Sequence, residues 1–110
     1  MTTIATVHEL ASAAQRGDFV LDVRNADEYA AGHVTGSRLI PLPVLPVRLS
    51  ELDRHHPIYV MCESGARAYQ ACQFLDRHDF EAVHVAGGMN AWRAAGLPVE
   101  LGRDDITGGN

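Results

Sequence analysis

Short apolar runs alternate along the chain with segments whose apolar residues recur every three or four positions. The apolar runs predict five strands, at residues 2–6, 19–24, 38–41, 58–61 and 81–86. Residues 19–21 are continuously apolar, which indicates a strand buried on both faces of a sheet. The periodic segments predict helices at residues 7–16, 26–31, 47–52, 68–78 and 89–95. Strands that alternate with helices favour an α/β fold: a five-stranded parallel sheet with helices on both faces and right-handed crossovers.

Residues that start helices support these boundaries. Thr6 and Glu9 stand three positions apart, which is the spacing of a capping box at the start of the first helix. Asn25 can cap the second helix. The proline-rich residues 42–46 are predicted to form a loop that leads into the helix at residues 47–52.

One stretch stands out chemically, because the strand at residues 58–61 runs directly into Cys62. A small-residue turn at residues 63–67 follows, and then a helix begins. The start of a helix exposes backbone N–H groups without partners and carries partial positive charge, which favours both a thiolate and a bound anion. The carboxyl ends of parallel strands are also where ligands bind in such sheets. The stretch therefore predicts a reactive cysteine in an anion-binding cradle.

Composition and charge narrow the class of protein. The 110 residues predict one domain, residues 1–100, and an acidic, glycine-rich C-terminal tail at residues 101–110 that is expected to be mobile. The formal net charge of −5 argues against a nucleic-acid partner. All nine basic residues are arginine, which excludes any mechanism that needs a lysine Schiff base.

Two cysteines, Cys62 and Cys72, are too few for a disulfide scaffold and favour a reducing compartment. The N-terminus lacks the pattern of a signal peptide, and the longest apolar run is far too short for a membrane span. The histidines show no metal-ligand spacing. We therefore expect a soluble cytoplasmic protein with no membrane partner and no metal or other cofactor.

Three segments resemble a known family. Residues 21–36 contain Asp-x-Arg, Glu-aromatic and Gly-His-x-x-Gly elements, residues 62–67 form Cys-x4-Arg, and residues 87–99 begin with Gly-Gly-Met and end with Gly-Leu-Pro-Val. In this order and spacing, they resemble a single-domain rhodanese, a thiosulfate or sulfane sulfurtransferase, over residues 4–99. The resemblance implies a rhodanese-like, five-stranded parallel sheet between helices.

The resemblance also implies a reaction. Cys62 would take sulfane sulfur from a small-molecule donor such as thiosulfate or a persulfide, or from a protein persulfide. It would hold the sulfur as a covalent persulfide and pass it to a thiophilic acceptor such as cyanide or a thiol, on a small molecule or a protein. The residues implied in substrate binding are Glu63, Ser64, Gly65, Ala66 and Arg67 of the loop, together with Arg24 bordering the pocket.

Two features of the loop refine this reading. Related phosphatases and arsenate reductases use Cys-x5-Arg, so the shorter Cys-x4-Arg favours sulfur over phosphoryl transfer. Many rhodaneses carry arginine after the cysteine, whereas Glu63 stands there in this chain. A carboxylate at that place disfavours an anionic donor, so a neutral, cationic or protein-bound persulfide donor fits better. The alternative is a sulfur carrier or interaction module with negligible free turnover.

For several residues, the sequence allows two interpretations of their role. Arg67 could form a salt bridge that holds the loop, or it could bind the oxyanion of a donor. Asp22 and Arg24 are predicted to form a structural ion pair, with Arg24 in the pocket as the alternative. His33 is predicted to be structural rather than a general base. Cys72 is predicted to pack in the core rather than to act as a resolving thiol.

Overall fold

The computed structural model describes residues 2–102, so residues 103–110 of the predicted mobile tail lie outside the described residues. Its sheet has five strands: β1 (Thr3–Ala5), β2 (Phe19–Asp22), β3 (Arg38–Leu39), β4 (Ile58–Met61) and β5 (Ala82–Val85). They lie in the order β1-β5-β4-β2-β3, and every neighbouring pair is parallel. The five-stranded parallel sheet predicted from the hydrophobic pattern is confirmed.

Four α-helices connect or flank the strands: α1 (Val7–Gln15), α2 (Ala26–Ala31), α3 (Ala66–Arg77) and α4 (Gly88–Ala94). The predicted capping box of Thr6 and Glu9 is present: the Thr6 side chain accepts the Glu9 N–H, and the Glu9 carboxylate accepts the Thr6 N–H. Asn25 caps α2 as predicted, and it also forms a capping box with Glu28. None of the helices within residues 2–102 has the length and apolar character that crossing a bilayer requires.

The prediction of a loop followed by an α-helix at residues 47–52 is wrong. The structure has two 3₁₀ helices instead, at Leu42–Val47 and Leu49–Glu51. Pro43 and Pro46 have no N–H to donate, so an α-helical ladder cannot run through residues 42–47. Arg48, with φ −121° and ψ 19°, lies outside the α-helical region and separates the two 3₁₀ helices. The turns of this segment are closed by bonds to the third carbonyl before, such as Arg48 N–H to the Leu45 oxygen at 3.0 Å.

Successive residues of the central strands face opposite sides of the sheet, and each side has its own core. One core packs Leu21 and Val60 against α3 and the 3₁₀ segment, and the other packs Val20 and Met61 against α1 and α4. Burial on both faces explains why β2 and β4 are continuously apolar. It also confirms the prediction that helices cover both faces.

The register of the two central strands, β2 and β4, determines where the candidate reactive residues lie. Asp22 at the end of β2 is the direct neighbour of Met61 at the end of β4, and Val23 N–H donates to the Met61 carbonyl at 3.0 Å. The residues that follow, Arg24 and Cys62, therefore meet at the carboxyl edge of the sheet.

Candidate active site

Cys62 lies directly after β4, and its side chain is almost completely buried, with 1% of its surface exposed. Two backbone N–H groups donate to its Sγ, that of Gly65 at 3.1 Å and that of Ala68 at 3.3 Å. Gly65 is the N-cap of α3, and Ala68 belongs to the first turn of that helix. These amides have no partner within the helix, so the sulfur takes the place of an anion bound there.

The loop between Cys62 and α3 needs glycine at one position. Gly65 has a φ angle of +117°, in the region that residues with a Cβ rarely adopt. This angle lets the chain reverse between Cys62 and the helix. Ser64 and Ala66 on either side are exposed at the rim of the loop. In residues 2–102, Gly65 and Ala68 provide the hydrogen bonds to Sγ, and Ser64 provides none.

His84 of β5 supports the same loop from the neighbouring strand. Its Nε2 lies 3.1 Å from the Gly65 carbonyl oxygen, and because a carbonyl only accepts, Nε2 carries the hydrogen of this bond. The sequence analysis missed this residue. The only local signal was a polar residue between two apolar ones in a strand, which indicates a half-exposed position and says nothing about the loop.

The start of α4 holds the loop from the other side. Met89 N–H donates to the Cys62 carbonyl at 2.9 Å, and Asn90 N–H donates to the Glu63 carbonyl at 3.0 Å. Gly88 makes this approach possible, because a Cβ there would lie 2.7 Å from the Glu63 carbonyl oxygen and would collide with that of Cys62. The turn predicted at residues 87–88 therefore fixes the backbone of the candidate nucleophile.

Asp22 and Arg24 form the predicted ion pair, and both side chains are fully buried. The guanidinium donates to the Asp22 carboxylate through Nε, at 3.0 and 3.1 Å, and through Nη2, at 2.8 Å. The same Nη2 donates to the Gly32 carbonyl at 2.8 Å, and Nη1 donates to Glu63 Oε1 at 3.1 Å. Arg24 therefore organises the loops and contacts Glu63, the residue next to Cys62, and its role in substrate binding stays a prediction.

Arg67 forms a salt bridge with Glu28 in the structure. Two parallel hydrogen bonds of 2.7 and 2.8 Å join its guanidinium to the Glu28 carboxylate. Glu28 also accepts the backbone N–H of Asn25, so one carboxylate ties the start of α3 to the start of α2. The hydrogen bonds from Arg67, acting against partial burial, lower the pKa of Glu28 from 4.5 to about 2.

This shift makes a prediction for the pH dependence of stability. The pKa of Glu28 is depressed in the folded protein, so its contribution is complete above about pH 4.5 and is lost as the pH falls towards 2. Glu28→Gln keeps an acceptor for Asn25 N–H but removes the charge. We expect the variant to be about 1 kcal/mol less stable than wild type at neutral pH, because solvent screens this part-exposed pair. The difference should shrink to near zero by about pH 2.

Urea denaturation of both proteins across this pH range measures the difference, and the other carboxylates cancel because both proteins share them. A difference that stays constant from neutral to acidic pH would contradict the salt bridge as its source.

Glu63 is not an isolated negative charge, contrary to what its place in the sequence suggests. Its carboxylate bridges Arg24 and Arg93, and Arg93 Nη1 lies 2.5 Å from Oε2. The hydrogen bond from Arg93, acting against partial burial, lowers the pKa of Glu63, so the carboxylate is ionised and paired. Arg93 is the second residue that the sequence analysis missed.

Two further residues take the structural roles predicted for them. Cys72 is fully buried in the core on α3, and burial raises the pKa of its thiol to about 12, so it stays protonated at neutral pH. His33 is 1% exposed, stacks on the ring of Tyr29 with the centroids 3.7 Å apart, and places Nδ1 2.8 Å from the Tyr29 carbonyl oxygen.

The arrangement supports nucleophilic chemistry at one sulfur atom. A single thiol lies at the end of a central strand, where the backbone N–H groups of Gly65 and Ala68 donate to it. In the part of the chain that the structure describes, no group of three or more histidine, cysteine or carboxylate side chains is placed to hold a metal ion. The site can therefore stabilise negative charge on the sulfur, or on an atom bound to it, through backbone hydrogen bonds.

Comparison with known proteins gives consistent matches. The family model of the rhodanese-like domain matches residues 6–95. A sulfurtransferase from Allochromatium vinosum is 35% identical over 81 residues, which cover 73% of this chain and 76% of that protein. The thiosulfate sulfurtransferase GlpE from Stutzerimonas stutzeri is 32% identical over 78 residues, which cover 70% and 72%. The crystal structure of a rhodanese-related protein from Thermoplasma volcanium has a TM-score of 0.85 at 30% identity, covering 90% of this chain and 98% of that one.

Proposed function

Because the chain belongs to the rhodanese-like domain family, we propose that it is a sulfurtransferase that carries the transferred sulfur on Cys62. The membership and fold expected from the three sequence segments are confirmed. The family and the names of the relatives support sulfurtransferase activity in general. The observation that carries the finer proposal is the pair of backbone amides, from Gly65 and Ala68, that donate to the Cys62 sulfur.

The proposed first step is attack by the Cys62 thiolate on the sulfane sulfur of a donor. With thiosulfate, the new S–S bond to Cys62 forms as the S–S bond of the donor breaks, and sulfite leaves with the electron pair. Cys62 then carries a persulfide with one negative charge. In the second step, an acceptor such as cyanide attacks the outer sulfur, so that thiocyanate leaves and the thiolate returns. No external oxidant or reductant is needed.

The loop is proposed to stabilise the persulfide and to bind the donor. The N–H groups of Gly65 and Ala68 donate to the sulfur, and backbone N–H groups at the start of α3 can stabilise the charge on the outer sulfur atom. Ser64 and Ala66 form the exposed rim that a donor would contact first. Arg24 and Arg67 are each paired with a carboxylate, Glu63 and Glu28 respectively. We therefore propose that the two arginines contribute to donor binding through the net charge of the rim.

Mass spectrometry of the intact protein after treatment with a sulfane-sulfur donor tests the proposal. We expect a gain of one sulfur atom that cyanide removes. Trypsin cleaves after arginine, so cleavage at Arg54, Arg67 and Arg77 places the two cysteines in separate peptides, residues 55–67 and 68–77. The added sulfur should be found in the peptide of residues 55–67. Sulfur found only in the peptide of residues 68–77, or no gain with any donor, would refute the proposal.

Two activity assays beside the mass measurement separate the alternatives. Loading of Cys62 without turnover to cyanide would indicate a sulfur carrier that needs a protein partner for release. Hydrolysis of an aryl phosphate without sulfur loading would indicate a phosphatase, which the Cys-x4-Arg spacing argues against.

A further inference from the structure

Six charged side chains stand at the entrance to the cysteine loop, which we call the mouth, and they carry equal numbers of positive and negative charges. Three guanidinium groups, of Arg24, Arg67 and Arg93, are paired with three carboxylates, of Asp22, Glu28 and Glu63. Formal charge therefore cancels within this set of six side chains of residues 2–102. Because no positive side chain of this set is in excess, the groups that attract an anion are the backbone N–H groups of Gly65 and Ala68.

One pair in this set can be changed with little structural cost. Asp22 and Arg24 are fully buried, and Glu28 helps to cap α2. Glu63 and Arg93 are 30% and 41% exposed, and their contact joins the cysteine loop to α4 at the surface. Glu63 also accepts a bond from the buried Arg24, but the amide oxygen of Glu63→Gln can accept that bond and Asp22 still pairs the charge of Arg24. Losing one member of the exposed pair therefore leaves no uncompensated charge in the interior.

We propose that the Glu63–Arg93 pair selects the sulfur donor by charge. It keeps the mouth neutral, so that the site lacks the surplus positive charge that would favour the dianion thiosulfate over sulfane-sulfur donors with at most one negative charge, such as organic thiosulfonates and persulfides. This inference rests on the proposed sulfurtransferase function and names its substrate class. A fixed charge acts twice as strongly on a dianion as on a monoanion at the same distance, so the ratio of the two activities reports the charge at the mouth.

Two single variants should shift that ratio in opposite directions. Glu63→Gln leaves Arg93 without its carboxylate and gives the mouth one extra positive charge, so it should favour thiosulfate. Arg93→Gln leaves Glu63 with Arg24 alone and gives one extra negative charge, so it should disfavour thiosulfate. The double variant restores neutrality, so its ratio of the two activities should return to that of wild type.

A matched control exists elsewhere on the surface. Glu51 of the second 3₁₀ helix also bridges two arginines, Arg38 at 3.1 Å and Arg48 at 2.6 and 2.8 Å. Glu51→Gln changes the net charge of the protein by the same amount as Glu63→Gln but does not alter the loop. It should leave the ratio unchanged.

The experiment measures kcat/KM for thiosulfate and for benzenethiosulfonate, with cyanide as the acceptor. Sulfite or benzenesulfinate leaves in the first step, so kcat/KM for the donor reports that step alone. We expect the thiosulfate-to-thiosulfonate ratio to rise about tenfold in Glu63→Gln and to fall by a similar factor in Arg93→Gln. Both shifts should weaken at high salt. General damage to the loop would lower both activities and leave their ratio unchanged.

The outcomes separate the two proposals. Sulfur transfer with a ratio that does not change, or that moves in the same direction in both single variants, overturns the donor selection and leaves the sulfurtransferase function intact. No transfer from either donor in wild type overturns both.

Discussion

Replacing Cys62 with alanine is expected to abolish sulfur transfer completely. No other thiol can substitute, because Cys72 is fully buried and its pKa is raised to about 12. Cys62→Ala leaves the N–H groups of Gly65 and Ala68 without their acceptor, at a cost of about 1–3 kcal/mol in stability. Cys62→Ser restores an acceptor for these groups, so it should be more stable than Cys62→Ala and equally inactive. Thiocyanate formation measures activity, and urea denaturation measures stability.

Cys72→Ala is the matched control for the loss of a buried cysteine. It removes a sulfur from the core on α3, and we expect a loss of about 1–2 kcal/mol in stability. The rate of persulfide formation should stay close to that of wild type. If the variant folds but no longer transfers sulfur, Cys72 would be a resolving thiol, and the core assignment would be wrong.

Gly88→Ala is expected to give the second large effect, on activity and stability together. Gly88 has a φ angle of +53°, which costs alanine about 1–2 kcal/mol. The new Cβ would also push against the carbonyl groups of Cys62 and Glu63 and weaken the hydrogen bonds they accept from Met89 and Asn90. We expect a total loss of about 3 kcal/mol or more, since each such bond contributes about 1 kcal/mol. Displacement of the loop should lower the rate about 100-fold.

Gly96→Ala isolates the effect of the backbone angle alone. Gly96 follows α4 with a φ angle of +72°, and a Cβ there would meet no atom within 4 Å. It should therefore lose only about 1–2 kcal/mol and transfer sulfur at the rate of wild type. Equal losses of activity in the two variants would show that contact between Gly88 and the loop does not matter.

The fold was largely predictable because its signals are local. Continuous apolar runs identified strands that are buried on both faces, and capping residues identified the starts of α1 and α2. The prediction failed at residues 42–52, where the apolar spacing suggested a loop and then an α-helix. Within this segment, Pro43 and Pro46 remove two α-helical hydrogen bonds and the backbone of Arg48 lies outside the α-helical region, so 3₁₀ turns form instead.

The residues that the sequence analysis missed are those whose role depends on distant partners. His84 reaches the Gly65 carbonyl from 19 positions along the chain, and Arg93 reaches Glu63 from 30 positions. Each appears in the sequence as an ordinary polar residue of a strand or a helix. Only the parallel arrangement of β4 and β5, and the return of the chain through α4, brings them to the loop.

The sequence alone determined the candidate nucleophile and its cradle, because both lie within one short segment. The donors to Sγ are three and six positions from Cys62, and the end of a strand followed by the start of a helix places them near the sulfur along the chain. The tertiary structure decided the charge around that sulfur. Arg67 pairs with Glu28, and Arg24 pairs with Glu63, each across 39 positions of the chain. Arg93 of α4 also pairs with Glu63 and supplies the third positive charge. Pairing of charges depends on distances of a few ångströms in space, and these are set only when the sheet and its helices pack together.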